Sequence, residues 1–329
     1  MSRTRNIVAG PAYGVIGMGM SLPVGAMSNE QIAERSGVDT EWILRKTGVT
    51  ERRVASDDET TASMAAAAVH DTIAHAKTRS DVDGPPELLI AATSTPDRLV
   101  PAPAFDIHAL AGLPHMPCLS IDGACAGIAQ AMITAMGFYR MGMADSAVVV
   151  GSHRSELICD RTERKTAALF GDGAGAYFLG PVPDGYGILS AQMLTDSEYR
   201  DSVCTQPLRT GHLGRLTMDG RRLVETFASE LPKMIYSSLG EAGLTMADVD
   251  RVFLHQGNVR MVEAFTELLG LNRAQVPITG DLLGNTASAS LPITTVLSDR
   301  ERPIERGEVI VLATAGAGVN GAVVVLRWY

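Results

Sequence analysis

Apolar residues along this chain fall into two kinds of run. Short ones, three to seven residues long, include Glu87–Thr93 (ELLIAAT), Leu119–Ile121, Ser146–Gly151 (SAVVVG), Val252–Leu254 and Val309–Ala313. Runs of this kind read as strands buried on both faces. Tyr13–Met20 reads as a first strand and Gly321–Trp328 as a last one. Between them lie longer segments of helical character. Ser28-Asn29-Glu30 opens one with capping chemistry and Thr40 caps another through Lys46. Others are expected over Thr60–Ala76, Pro101–Leu113, from Cys125 onward, over Asn258–Leu269 and over Asn285–Asp299. Alternating strands and helices predict an α/β fold whose sheets are covered on both faces.

The pattern occurs twice. Displaced by about 160 residues, ELLIAAT falls on RVFLHQG, and the helix opened by Cys125 falls on the one opened by Asn285. With a gap, GDGAGAYFLG (171–180) resembles AGAGVNGAVVVL (315–326). The expectation is a duplicated fold, one half over 1–180 and the other over 181–329, related by a pseudo-twofold axis.

Composition narrows the classes. With 329 residues, 46% hydrophobic, 20% charged and 33 Gly, the chain suits a folded α/β protein. A net charge of −9 without a basic run argues against nucleic acid as a partner. Only four of the 28 basic residues are Lys, an Arg bias that hints at a high-GC bacterial source. No apolar segment approaches the ~20 residues that span a bilayer. Arg3 and Arg5 precede an apolar run, but Gly10, Pro11, Gly14, Gly17 and Gly19 break it, which makes a poor signal sequence. Cys118, Cys125, Cys159 and Cys204 form no CxxC pair and no His/Cys cluster, so neither a metal site nor a disulfide framework is expected. Free thiols fit a reducing cytoplasm.

Cys125 follows a strand and a small-residue turn and stands at or beside a helix start. That position places a thiol at the positive end of a helix dipole and can lower its pKa well below ~8.5. An isolated cysteine is more often a small buried hydrophobe, so its meaning depends on its company. If the two halves pack through equivalent helices, its turn meets His255-Gln256-Gly257-Asn258 and Gly284-Asn285-Thr286. A thiol, an imidazole and a side-chain amide make an acyl-transfer set. Cys125 attacks a thioester, its own amide helps hold the oxyanion, and His255 and Asn285 stabilise an enolate in a second substrate. His70, His108, His115, His153 and His212 carry no such context, and His75 is expected on the surface. Gly316–Gly321 matches a GxGxxG spacing but precedes a strand, and no P-loop Lys follows Gly171–Gly175, so neither reads as a nucleotide cradle.

In this order, EWILRKTGVTERR (41–53), ACAG around Cys125, LFGDGAGA (169–176), LHQGNVRM (254–261) and GNTASASLP (284–292) resemble the β-ketoacyl-acyl-carrier-protein synthase III group of the thiolase superfamily, over essentially the whole chain. The resemblance implies a five-layer αβαβα fold, a homodimer, and a Cys125–His255–Asn285 triad. It implies ping-pong transfer from an acyl-coenzyme A through an acyl-cysteine, with no resident cofactor. Position by position it places Trp42, Arg164 and Asn258 around the coenzyme A and pantetheine tunnel, Phe170 near the reacting group, and the Ala317 amide beside that of Cys125 in an oxyanion hole. Val100 falls where the family closes the acyl pocket of the partner subunit. Lys46 stands where an Arg usually grips the nucleotide, HQGN replaces HQAN, and the last turn lacks its usual aromatic residues, so a wider cavity is expected. Glu225 and Glu267 replace basic residues that receive an acidic carrier protein, while Arg260 remains and Arg221 and Arg222 lie nearby. Three readings follow. In the first, acyl-Cys125 condenses with a malonyl thioester on a carrier protein. In the second, a hydroxyl or amine of a small metabolite takes the acyl group. In the third, the chain is a non-catalytic partner subunit.

Overall fold

The computed structural model describes residues 10–79, 84–206 and 214–329; the side chains of 221–224, Arg221 and Arg222 among them, and the start containing Arg3 and Arg5 lie outside that description. The first half runs β1 (Tyr13–Ser21), β2 (Ala26–Ser28), α1 (Asn29–Ser36), α2 (Thr40–Thr47), β3 (Glu51–Arg53), α3 (Thr61–Arg79), β4 (Leu89–Ala92), α4 (Pro103–Leu110), β5 (Cys118–Ile121), α5 (Gly127–Arg140), β6 (Ala147–His153), α6 (Arg164–Ala167) and β7 (Gly173–Pro181). The second runs β8 (Gly187–Thr195), β9 (Val203–Thr205), β10 (Leu216–Met218), α7 (Gly220–Glu241), β11 (Arg251–Leu254), α8 (Val259–Leu268), α9 (Gly280–Leu283), α10 (Ser290–Glu301), β12 (Val309–Gly316) and β13 (Asn320–Arg327).

Two sheets carry the fold. One has the order β1-β7-β6-β4-β5, the other β8-β13-β12-β11. Strand directions match pair for pair. β1/β7 and β7/β6 are antiparallel and β6/β4 parallel, as β8/β13 and β13/β12 are antiparallel and β12/β11 parallel. The two sheets therefore share one pattern of strand directions over four strands.

Helices α5 and α10 form the middle layer. One apolar core joins Ile128, Met132 and Met136 of α5 and Leu291 and Val296 of α10 to strand residues from both sheets, among them Val149, Tyr177, Phe253 and Leu312. A helix clamped between two sheets can show water no face, and α5 carries no charge before Arg140. α10 is richer in hydroxyls, and these are satisfied internally. Thr294 and Thr295 donate to the carbonyls of Ser290 and Leu291, and Tyr177 Oη lies 2.7 Å from Thr295 Oγ1. α3 and α4 cover the outer face of the first sheet, and α7 and α8 that of the second. The result is the expected five-layer αβαβα arrangement, built from strands that are buried on both faces.

Both middle helices begin later than the sequence pattern predicts. Cys125 lies in a single 3-10 turn, Ala124–Ala126, and α5 starts at Gly127. Asn285 likewise precedes a 3-10 turn, Ala287–Ala289, and α10 starts at Ser290. Ala124 and Ala287 open these turns with φ of 46° and 47°. His75 is also misplaced by the sequence reading. It is half-buried, and its Nδ1 accepts from the Met18 N–H at 3.1 Å, tying α3 to β1.

A left-handed alanine costs ~1–3 kcal/mol, and a β-branched residue fits that region far worse. Ala287→Val is expected to lower the thermal unfolding midpoint clearly, whereas Ala287→Gly keeps or raises it. Equal losses for both variants would show that packing, not backbone conformation, sets this position.

Candidate active site

Where the two halves meet, a cavity of about 1290 Å³ opens, and Cys125, His255 and Asn285 all line it. Cys125 follows β5 and His255 directly follows β11, whereas Asn285 follows α9 and pairs across to Phe170 of the first half in an isolated parallel bridge. β12 of the second half clasps the Cys125 turn. Thr314 Oγ1 donates to the Cys125 carbonyl at 2.9 Å, and a Cβ on Gly316 would stand 2.9 Å from the Cys125 nitrogen. Only glycine permits that approach, which sets residue 316 beside the Cys125 amide, with Ala317 next in the chain and in the cavity wall. Asn320 Nδ2 then holds the Ala317 carbonyl, and Asn320 Oδ1 accepts from Gln130 Nε2 of α5 at 3.2 Å.

His255 and Asn285 face one point. A Cβ built on Gly257 would lie 2.9 Å from His255 Nε2 and 3.8 Å from Asn285 Nδ2, so the glycine of HQGN leaves this space open. Asn285 Oδ1 accepts from the Ala287 N–H at 2.8 Å, which fixes which end of the amide is left for the cavity. His255 Nδ1 lies 3.2 Å from Ser290 Oγ, and that hydroxyl accepts from the Gln256 N–H at 2.8 Å. Ser290, at the first position of α10, thus orients the imidazole; no sequence motif pointed to it.

The electrostatics correct the expectation of an activated thiolate. Cys125 touches the cavity but is otherwise enclosed by protein, and burial pushes its thiol up to about 12. Its backbone N–H acts in the opposite sense, and the Asp122 carboxylate adds to the rise. Burial likewise pushes His255 down to about 4, helped by nearby His153. Thiol and imidazole therefore rest as a neutral pair.

His153, given no role from sequence, ends β6 in the wall of this cavity. It is 1% exposed, its Nδ1 lies 3.4 Å from Thr95 Oγ1, and its ring centroid is 5.7 Å from that of Phe170. Among the described residues its Nε2 has no hydrogen-bond partner. Its place at the end of an all-apolar strand was the available signal, because such strand ends collect at sites.

The other expected residues spread along and beyond the cavity. Phe170, Asn258, Arg260, Lys46 and Ala317 line it. Asn258 caps α8 and donates from Nδ2 to the Lys46 carbonyl at 3.1 Å; Arg260 reaches the Leu44 carbonyl and pairs with Glu263 at 2.8 Å. Trp42 is half-buried with the Arg164 guanidinium 5.8 Å over its ring; neither is in the cavity wall. Val100 is 85% exposed and also outside it. Among the described residues, no three His, Cys, Asp or Glu side chains group as a metal site would require, and no helix is long and apolar enough to cross a membrane.

Residues 119–197 match the family described as 3-oxoacyl-[acyl-carrier-protein] synthase III, and residues 239–328 match its C-terminal counterpart. The β-ketoacyl-[acyl-carrier-protein] synthase III of Rhizobium johnstonii is 34% identical over 323 residues, covering 95% of this chain and 98% of that protein. The chain belongs to the 3-oxoacyl-acyl-carrier-protein synthase III family. Ketosynthase III proteins are acyl-transferring condensing enzymes of the thiolase superfamily, and solved members agree with the fold described above. The synthase III of Aquifex aeolicus superposes with a TM-score of 0.90 at 29% identity, covering 96% of this chain and all of that one. The priming β-ketosynthase of the R1128 polyketide pathway gives 0.90 at 26%, covering 99% of each.

Two measurements follow from the electrostatics. Alkylation of Cys125 by iodoacetamide, followed by peptide mass, is expected to be slower at pH 7 than that of a free thiol of pKa ~8.5 and still rising at pH 10. Buried His153 is held down to about 4, mainly by burial, with Asp172 opposing and Arg161 assisting. Its unfolded value is ~6.5, so its contribution to stability is complete above that pH and is lost as pH falls towards 4. The thermal midpoint is therefore expected to fall between pH 7 and pH 5, and to fall less in His153→Gln.

Proposed function

We propose that this ketosynthase III takes an acyl group from an acyl-coenzyme A onto Cys125 and condenses it with a malonyl thioester. The observation that carries this reading is the shared focus of His255 Nε2 and Asn285 Nδ2 in the cavity that holds the thiol. Two donors facing one point suit an oxygen that acquires charge.

In the first half-reaction Cys125 Sγ attacks the thioester carbonyl carbon. Its proton passes to His255 as the S–C bond forms, since the thiol is not ionised beforehand. The oxyanion is received by the N–H groups of Cys125 and Ala317. The carbonyl re-forms, the bond to coenzyme A breaks, and the proton on His255 leaves with its thiolate. In the second, the C–C bond to the malonyl carboxylate breaks and CO2 departs. The electron pair remains as an enolate, whose oxygen accepts from His255 Nε2–H and Asn285 Nδ2–H. The enolate carbon attacks acyl-Cys125, the new C–C bond forms, and the thiolate leaves and takes a proton from water, the one proton that loss of CO2 from a carboxylate consumes. The two halves require opposite His255 tautomers. Ser290 Oγ serves both, because it can accept from Nδ1–H or donate to Nδ1 while still receiving the Gln256 N–H.

Lys46, Asn258 and Arg260, with Trp42 and Arg164 beyond them, are the residues for the coenzyme A arm. A homodimer is supported by β5, which ends its sheet as an edge strand, and by Leu99, Val100, Phe105 and Leu110, which are more than half exposed. Four free thiols fit a reducing cytoplasm.

A second reading, transfer to a hydroxyl or amine without loss of CO2, is favoured by the mouth of the cavity. Glu225 is exposed there, Glu267 is exposed on α8, and the Arg260 charge is engaged by Glu263. An acidic carrier protein docks poorly on such a surface.

Intact mass after incubation with acyl-coenzyme A is expected to show one acyl group on Cys125, and none in Cys125→Ala. Malonyl thioester then releases CO2. Asn285→Ala is expected to keep the acylation and lose ~10²–10³-fold in CO2 release. Acyl transfer to alcohols or amines without CO2 would establish the second reading instead.

A further inference from the structure

Two polar side chains of the cavity wall take no part in that chemistry, Ser94 and Asp122. Ser94 follows β4 and Asp122 follows β5, and the pairing of Ala92 with Ile121 brings them together. Ser94 Oγ donates to Asp122 Oδ1 at 2.5 Å, and the Ala124 N–H donates to the same oxygen at 3.1 Å. Among the described residues no hydrogen bond reaches Oδ2.

The fold repeats this turn at the other side of the site. Asp122 stands two residues before left-handed Ala124, as Asn285 stands two before left-handed Ala287. In both, Oδ1 accepts from the N–H two residues on, and both residues line the cavity. The free end of Asn285 is an amide nitrogen, and that of Asp122 is a carboxylate oxygen. The turn alone does not require the charge, because an Asn would hold the same N–H. The charge also works against the nucleophile three residues on, by making the Cys125 thiol harder to ionise.

We infer that Asp122, held by Ser94, is a specificity-determining residue that admits to Cys125 an acyl group bearing a hydroxyl, whose O–H donates to Asp122 Oδ2. This rests on the acyl-coenzyme A reading above. A hydroxyl needs one acceptor, and Oδ2 is one. An ammonium needs three, and of the side chains that line the same cavity Pro96, Leu99, Phe170, Leu216 and Met218 supply none. The malonyl group is the wrong occupant, because its carboxylate would be repelled.

The test compares rate constants for acylation of Cys125 by 3-hydroxybutyryl-coenzyme A and butyryl-coenzyme A, read by intact mass. The wild-type protein is expected to prefer the hydroxyacyl donor by about tenfold or more. Asp122→Asn preserves the acceptor for Ser94 and Ala124 but replaces Oδ2 by a donor, and is expected to bring the ratio to about one. The ratio is taken on one protein, so a general loss of activity cancels, and the wild-type comparison needs no variant. Equal rates in the wild type overturn the inference, as does a preference that survives Asp122→Asn or a faster reaction with 3-aminobutyryl-coenzyme A. Absence of acylation by every acyl-coenzyme A overturns the acyl-transfer reading itself, a result distinct from acylation without preference.

Discussion

Two short turns, each opened by an alanine with positive φ, hold the halves of this molecule together. Each half clasps the turn of the other. Thr314 and Gly316 of the second half close on Cys125, and Ala92 and Gly151 of the first close on Ser288, the residue that corresponds to Cys125 under the duplication. Ser288 Oγ donates to the Ala92 carbonyl at 2.7 Å, and a Cβ on Gly151 would collide with the Ser288 carbonyl. Neither turn can shift without disturbing the opposite sheet. The backbone strain at Ala124 and Ala287 is held in place by this mutual clasp. The clasp also fixes the distance between a nucleophile supplied by one half and the donors supplied by the other, so site geometry and fold stability depend on the same contacts.

Burial at that junction sets the chemistry. The enclosure that fixes Cys125 also withholds water from its thiolate, and burial outweighs the pull of the helix start. The same enclosure strips His255 of its proton. A neutral thiol and a neutral imidazole resist side reactions at rest, and the proton moves only when a thioester carbonyl is in reach. Reactivity then comes from groups already aimed at the developing charge rather than from an ionised nucleophile waiting in solution.

Much of this was legible in the chain. Runs such as SAVVVG and VIVLA are too apolar for anything but strands covered on both faces, and their repetition, with the loop motifs between them, gave the duplication and the converging turns. The helix starts were misread because neither left-handed position carries the Gly or Asn that usually marks one; Ala124 and Ala287 are held there by tertiary packing, which leaves no local signal. The thiol was misjudged for a related reason: a helix dipole can be inferred from sequence, but the depth of burial that overrides it belongs to the assembled sheets. Ser290 carries no local signal because its partner is 35 positions away, whereas for His153, whose partner is 58 positions away, the end of a buried strand was the one signal.

His153 shows how closely the site is tuned against charge. Burial is the largest cause of the low pKa of both imidazoles, and a charged His153 would add to the cost of protonating His255. Among the described residues the buried Nε2 of His153 finds no partner, which is a cost in stability. A phenyl ring in its place would pack against Phe170 without that cost, and burial would still keep His255 neutral. A protonated His255 could still donate to an enolate, yet it could not accept the Cys125 proton. Burial of His255 therefore matters to the half-reaction that needs it as a base, and the acid sensitivity of His153 is a separate cost of the same enclosure.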